Sequence, residues 1–264
     1  MRTYRGTDAR DIFDGTNQAE RVYGYGGNDD LFGYGGNDLL YGGNGNDLLV
    51  GDDGADKLYG QAGSDLLAGE RGNDLLNGGG GFDYATYFYS DAGVTVNLAA
   101  GTAADGLGGT DTLTSIEGVY GSDFADTIRG DAGTNELFGN RGNDVLIGGA
   151  GQDLTVGNAG ADRFVFADGD VSNKLATADL IGDFSRGEGD TIDLSGLDAN
   201  AGVAGDQAFT FVGTAAFSGT AGELRFEVIR GETVLMGDVN GDKVADGFIR
   251  LDGHPAIVAA DLIL

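Results

Sequence analysis

The stretch GGNGNDLLV, residues 42–50, places three glycines, one aspartate and two leucines in nine positions. Ordering a glycine costs roughly 0.5–1 kcal/mol more than ordering an alanine, so this stretch has no reason to fold alone. It does not stand alone. In frames of nine from Gly6 the chain reads GTDARDIFD, GTNQAERVY, GYGGNDDLF, GYGGNDLLY, GGNGNDLLV, GDDGADKLY, GQAGSDLLA, GERGNDLLN and GGGGFDYAT. Five more frames follow from Gly121 to Val165: GSDFADTIR, GDAGTNELF, GNRGNDVLI, GGAGQDLTV and GNAGADRFV. Position 1 is always glycine, position 4 usually is, position 6 is nearly always aspartate, and position 8 is usually Leu, Ile, Val or Phe. A fixed short period of this kind is the signature of a solenoid.

Composition narrows what the repeat can be. The formal charge is −28 over 264 residues, and self-repulsion of that size opposes compaction. Disorder is the alternative, but 41% of the residues are hydrophobic and the acids are periodic rather than scattered. Nucleic acid is excluded as a partner, because a phosphate backbone needs a basic footprint. With no cysteine there are neither disulfides nor thiolate metal sites. The opening MRTYRGTDAR lacks the apolar core of a secretory signal, and no run of 18 apolar residues predicts a transmembrane helix.

The period translates into geometry. The first six positions suit a turn that uses glycine's positive φ, and the last three suit a short strand whose middle residue points inward. Two nonamers make one coil of a flattened right-handed parallel roll, so residues 18 apart stack at about 4.8 Å. Phe13, Leu31, Leu49 and Leu67 then form one inner ladder, and Val22, Leu40, Leu58 and Leu76 the facing one. So thin a core does not hold a coil by itself.

The aspartates supply what is missing. Asp29, Asp47, Asp65 and Asp83 line one edge, and Asp38, Asp56 and Asp74 the other; Asp126, Asp144, Asp153 and Asp162 repeat the arrangement in the second block. Stacked without a counterion they repel by about 1 kcal/mol per neighbour in water, and more where partly buried. Calcium reverses the sign, because it takes six to eight oxygens at about 2.3–2.6 Å and accepts carbonyls beside carboxylates. The carbonyls of Gly27, Gly36, Gly45, Gly54, Gly63, Gly72, Gly142 and Gly151 are the expected companions. Pairs 18 apart with both aspartates present are 29/47, 47/65, 65/83, 38/56, 56/74, 126/144 and 144/162, so seven or more ions are expected. Seven would offset half of the −28 charge. The pairs 11/29 and 135/153 are weaker: Asp11 lies in a first coil whose second nonamer carries Glu20 at position 6, and Asn135 replaces the acid. That first coil is expected to be a cap.

These nonamers resemble the RTX (repeats-in-toxin, hemolysin-type) calcium-binding β-roll of proteins exported by bacterial type I secretion. The segment "YFYSDAGVTVNLAAGTAADGLGGTDTLTSIEGVY" resembles the irregular insert of such rolls, with VTVNL at 94–98 reading as a strand. Beyond Phe166, "ADLIGDFSRGEGDTIDLSGLDAN" and "GDVNGDKVADGFIRL" resemble the C-terminal β domain of serralysin-type proteins. The closing Asp261, Leu262, Ile263 and Leu264 resemble the acidic-plus-hydrophobic tail read by ABC exporters. The resemblance implies an all-β bacterial protein, unfolded in the low-calcium cytosol and folded once secreted. The expected layout is a β-roll block at 1–86, an insert at 87–120, a second roll block at 121–165 and a C-terminal β domain at 166–264.

Three further features bear on function. Asp238, Asn240, Asp242 and Asp246 follow the alternation of a helix-loop-helix calcium loop, yet Lys243 and Ile249 occupy the glycine and glutamate positions. Either an ion or an acid-rich hairpin turn fits. Tyr23, Tyr41 and Tyr59, each 18 apart, form a ladder on an outer face beside Arg21, Leu39 and Lys57. Such a face suits an extracellular polysaccharide or a cell surface, or simply covers the sheet. Catalysis is not expected: the single His254 cannot make HExxH, and no GxSxG elbow is present. The chain reads as a calcium-binding surface or matrix module. The alternative is the non-catalytic tail of a serralysin-type metalloprotease or another RTX enzyme; the starting methionine and the export tail lean toward a self-contained product.

Overall fold

A computed structural model describes residues 1–253 and 255–264, so His254 lies outside the described residues. The fold is all-β: no α-helix occurs among the described residues, and two short 3-10 turns, Leu175–Thr177 and Ala259–Asp261, are the helical exceptions. The chain divides into two compact units, Met1–Ile128 and Arg129–Leu264.

In the first unit alternate nonamers feed alternate sheets. Strands Arg2–Arg5, Glu20–Gly26, Leu39–Asn44, Lys57–Ala62 and Leu75–Gly80 pair in parallel to form one sheet. Strands Ile12–Thr16, Asp30–Tyr34, Leu48–Asp53, Leu66–Arg71, Tyr84–Thr86 and Gly118–Tyr120 form the other. The register is the expected 18: Val22 pairs with Leu40, Leu40 with Leu58 and Leu58 with Leu76, while Leu31 pairs with Leu49 and Leu49 with Leu67. These leucines have 0–1% of their surface exposed. Each contributes roughly 1.5–3 kcal/mol of burial, a continuous but narrow core.

The strands are longer than the expected three residues. Leu39–Asn44 and its equivalents carry six, running through positions 7–9 and into positions 1–3 of the next nonamer. The turn is displaced accordingly. Position 2 adopts the left-handed conformation at Tyr25, Tyr34, Asp52, Gln61 and Glu70, with φ between 65° and 81°. Non-glycine residues there cost on the order of 1 kcal/mol each, which the parallel ladder on either side must hold in place.

The insert keeps the coil going rather than interrupting it. Thr110–Thr114 pairs in parallel with Leu75–Gly80, bringing Leu113 against Leu76, and Val119 continues the other ladder from Ala85. Thr102–Ala104 and Thr95–Asn97 then fold back as antiparallel strands, the second within the VTVNL stretch.

The second unit starts as a roll and ends as an antiparallel meander. Val145–Ile147, Arg163–Ala167, Thr191–Gly196 and Leu262–Ile263 build one parallel sheet. Glu136–Arg141, Leu154–Ala159, Leu180–Ile181 and Gly247–Leu251 build the other. Glu232–Asp238 and Glu223–Ile229 extend that second sheet with antiparallel pairs. Phe164, Leu146, Leu137, Ile181 and Ile192 fill the roll core, while Leu224, Val234, Leu235 and Ile249 fill the meander.

Candidate metal centre

Each glycine turn delivers its position-6 aspartate to the same place one coil after another. The amide of Asp29 donates to Asp47 Oδ1, Asp47 to Asp65 and Asp65 to Asp83, each at 2.8 Å. On the other edge Asp38 donates to Asp56 Oδ1 at 2.6 Å and Asp56 to Asp74 Oδ1 at 2.8 Å. In the second unit Asp144 donates to Asp162 Oδ1 at 2.9 Å. A second ladder runs beside it on the exposed side, where Asn28 Oδ1 accepts from the Asn46 amide and Asn46 Oδ1 from the Ser64 amide, both at 3.0 Å.

In most of these aspartates half of the carboxylate is employed and the other half is not. The Oδ2 atoms of Asp29, Asp38, Asp47, Asp56, Asp65, Asp74, Asp83, Asp153 and Asp162 are buried and have no hydrogen-bond partner. These residues are at most 3% exposed. Leaving a buried acceptor unsatisfied costs about 1–3 kcal/mol, and more for a charged one. So regular a set of unsatisfied anionic oxygens points to a cation as the absent partner.

The glycines make room for it. A Cβ on Gly33 would lie 2.6 Å from Asp38 Oδ2 and 2.8 Å from the Gly51 carbonyl oxygen, and one on Gly51 would lie 2.5 Å from Asp56 Oδ2 and 2.9 Å from the Gly69 oxygen. At position 4, a Cβ on Gly45, Gly54, Gly63, Gly72, Gly81 or Gly160 would run into the carbonyl oxygen of the position-4 glycine one coil earlier. The carbonyls of Gly27, Gly36, Gly45, Gly54, Gly63 and Gly142 therefore face the next turn, as a shared ion would require. Among the described residues no three His, Cys, Asp or Glu side chains converge on a point. A six- to eight-coordinate ion would thus complete its shell from main-chain carbonyls, a donor set that suits calcium.

Burial disfavours the charged form of these groups. It pushes Asp56 and Asp65 up to about 7, and Asp38 and Asp74 up to about 6, against an ordinary value of 3.8. The sign of the consequence follows. In the metal-free state the unfolded chain gives up these protons near pH 3.8 while the fold holds them to about pH 6–7, so metal-free stability falls as pH rises across that window. Circular dichroism of the chelated chain should gain β signal on acidification from about pH 8 to about pH 5. A loss of β signal over the same range would contradict the burial of these carboxylates.

Some expected ligands are already engaged. Asp11 Oδ2 accepts from the Thr7 amide at 2.6 Å, and Glu20 accepts from the Thr16 hydroxyl at 2.6 Å, which makes the first coil a cap. Asp126 is held in the same way: its Oδ2 accepts from the Ser122 amide at 2.6 Å and its Oδ1 from the Ser122 hydroxyl at 2.7 Å. In each of these turns the extra partner is a Ser or Thr at position 2. In the turn at 238–246, Asp238 Oδ1 accepts from the Gly241 amide at 2.7 Å and Oδ2 from the Lys243 amide at 2.9 Å. Asp242 Oδ1 takes the Val244 amide at 2.8 Å and Asn240 Oδ1 the Asp242 amide at 2.8 Å. The antiparallel strands Glu232–Asp238 and Gly247–Leu251 flank this turn, so the loop is a hairpin whose acids satisfy its own backbone.

Other members of the ladder were not singled out from the sequence. Asp74 donates to Asp111 Oδ1 at 3.0 Å, Asp153 to Asp179 Oδ1 at 2.9 Å and Asp162 to Asp190 Oδ1 at 2.9 Å. Asp111 belongs to GLGGTDTLT, residues 106–114, a full nonamer inside the insert. Asp179-Leu-Ile and Asp190-Thr-Ile keep only the aspartate and the inward residue.

The tyrosine ladder is present. Tyr23 and Tyr41 stack at 5.0 Å with planes 3° apart, Tyr41 and Tyr59 at 5.0 Å and 14°, and the Arg5 guanidinium sits 5.8 Å from the Tyr23 ring centre. All three rings are half-buried. At the C-terminus, Asp261 is 4% exposed and meets the Arg186 side chain at 2.6 Å, while Leu262 pairs with Ile192. No helix among the described residues is long and apolar enough to cross a membrane.

The family model described as peptidase M10 serralysin C terminal matches residues 127–264, more than half of the chain. The RTX calcium-binding nonapeptide repeat (4 copies) matches residues 14–49 and 50–85. No curated protein matches. Among solved structures, a subunit of the Azotobacter vinelandii mannuronan C5-epimerase is similar at 23% identity and a TM-score of 0.34, over 53% of this chain and 78% of that one. The extracellular lipase of Serratia marcescens is similar at 16% identity and a TM-score of 0.30, over 98% of this chain and 40% of the lipase.

Proposed function

Because the chain belongs to the peptidase M10 serralysin C-terminal family and carries RTX calcium-binding repeats, we propose that it is a secreted protein whose β-roll is completed by calcium and whose tyrosine face binds polysaccharide. The observation behind the first half is the row of buried carboxylate oxygens without partners, from Asp29 to Asp83 and again at Asp153 and Asp162. Calcium sits between successive turns, joined to Asp Oδ2 atoms and to glycine carbonyls. Asp11, Asp126 and the turn at 238–246, whose carboxylates already accept from nearby amides, stand outside this row. Folding is then coupled to the calcium level, low inside the cell and high outside, which suits export of an unfolded chain by a type I (ABC) apparatus.

The binding half rests on the stacked rings. Tyr23, Tyr41 and Tyr59 recur at 5.0 Å, with Arg21 and Lys57 in the same strands. Flat half-exposed aromatics pack against sugar faces, and the basic groups favour an acidic polysaccharide over a neutral one. On a glycan array the calcium-loaded protein should bind acidic polysaccharides, and Tyr41→Ala should weaken binding about tenfold, the worth of one well-packed ring. Equal profiles for the two proteins would remove this role. The family match also favours a second reading, in which the chain is the non-catalytic calcium-binding portion of a larger secreted enzyme.

A further inference from the structure

Where the roll strand Thr191–Gly196 meets the meander strands Glu223–Ile229, Glu232–Asp238 and Gly247–Leu251, the second unit holds a cavity of about 180 Å³. Its floor is apolar: Leu194, Leu224, Leu235 and Ile249 are at most 3% exposed, and Phe209 is 8% exposed. One rung of the meander beside it has no side chains, because Gly237 and Gly247 pair directly across adjacent strands. Phe209 and Val171 rest on this bare backbone as walls. A Cβ on Gly237 would lie 3.0 Å from the Phe209 ring, and one on Gly247 would lie 2.9 Å from Val171 Cγ1. An apolar void forfeits packing contacts along its lining and offers water no partners. A cavity of about 150 Å³ lined by Leu, Ile and Phe stays dry and takes up benzene. This one therefore has room for one aromatic ring and a short arm.

The rim carries one sign of charge. Asp168 is exposed and Asp198 and Asp246 are half-buried at the edge of the cavity, and no basic residue lines it. Asp168 Oδ1 accepts from the Asp198 amide, Asp198 Oδ1 from the Asn200 amide and Asp246 Oδ2 from the Val239 amide, each at 2.9 Å. Among the described residues none of the three carboxylates is in an ion pair. They do not gather on one point as metal ligands would.

An apolar pocket with a few polar groups at its edge is the usual form of a small-molecule site, and here the edge selects by charge. An anion is repelled at the opening, a neutral molecule gains only the apolar floor, and a cation gains both. We propose that this cavity binds an aralkyl ammonium ion, with its ring against Phe209 and Phe248 and its ammonium group at Asp168 and Asp198. The site lies outside the repeat turns and the tyrosine ladder, and it needs calcium only in so far as the chain must be folded.

An NMR titration of the calcium-loaded full chain at pH 7 with 2-phenylethylammonium, 2-phenylethanol and 3-phenylpropionate tests the assignment. The three share one ring and differ in charge. The ammonium ion should bind about tenfold more tightly than the alcohol, the gain from two carboxylates at the edge of a protein, and the propionate should bind most weakly. Asp168→Asn combined with Asp198→Asn keeps an oxygen for each amide and should bring the ammonium ion down to the affinity of the alcohol. Leu197→Trp, which fills the cavity, should abolish binding of both. Should either variant fail to fold, the wild type decides alone: the ligand ring should show contacts to the Phe209 and Phe248 rings, and added salt should erode the preference for the cation. Equal affinity for the three ligands, binding of none, or contacts confined to Tyr23, Tyr41 and Tyr59 would overturn the proposal.

Discussion

Gly45→Ala should unfold the calcium-loaded roll, or lower its stability by at least about 3 kcal/mol. Gly45 sits at φ 127°, where an L side chain is strained, and its Cβ would run into the Gly27 carbonyl oxygen and lie 3.0 Å from Asn28 Oδ1. Neither neighbour can withdraw, because Gly27 donates to the Asn44 carbonyl at 2.9 Å and Asn28 Oδ1 accepts from the Asn46 amide at 3.0 Å. The same methyl would displace a carbonyl meant for the ion. Gly253→Ala is the matched control: it also has positive φ, 69°, but nothing lies within 4 Å of its Cβ. Only conformational strain remains there, about 1 kcal/mol. Thermal melts in calcium should separate the two substitutions clearly; equal shifts would mean that the turns have more room than the geometry allows.

Removing divalent metal should be more drastic still. The nine Asp Oδ2 atoms named above are buried without a partner, and at about 1–3 kcal/mol each they cost as much as or more than the 5–15 kcal/mol by which ordinary domains are stable. The leucine ladder cannot cover that deficit, because each coil buries only two large side chains, such as Leu49 and Leu58. Nearest-neighbour stacking makes the loss cooperative: once one interface opens, the Asp47 and Asp65 amides lose their acceptors as well.

The period carried most of this into view beforehand. Residues 18 apart pair as the repeat demands, from Val22 with Leu40 to Leu58 with Leu76, because a strict nine-residue frame leaves a single register. Where the frame slips, legibility ends. Asp111 sits in a complete nonamer, but GLGGTDTLT starts at Gly106, one residue out of phase with the frames counted from Gly6. Asp179 and Asp190 lack glycine at positions 1 and 4, which hold Lys174 and Thr177, and Ser185 and Glu188, so only the fold brings them to Asp153 and Asp162. The caps were half legible: Glu20 marked the first coil as unusual, but the hydroxyls of Thr16 and Ser122 matter only once the carboxylates beside them are seen. Strand length was underestimated because position 2 looks like part of a turn, whereas Gln61 and Glu70 keep to the ladder while holding a left-handed φ.

On the function proposed above, calcium between stacked acidic turns makes this chain fold. Far-ultraviolet circular dichroism at pH 7, recorded in excess chelator and then across a calcium titration into the millimolar range, addresses it most directly. The expected result is a coil spectrum in chelator that converts cooperatively and reversibly to a β spectrum as calcium is added. A β-rich spectrum of equal strength in both conditions would contradict it.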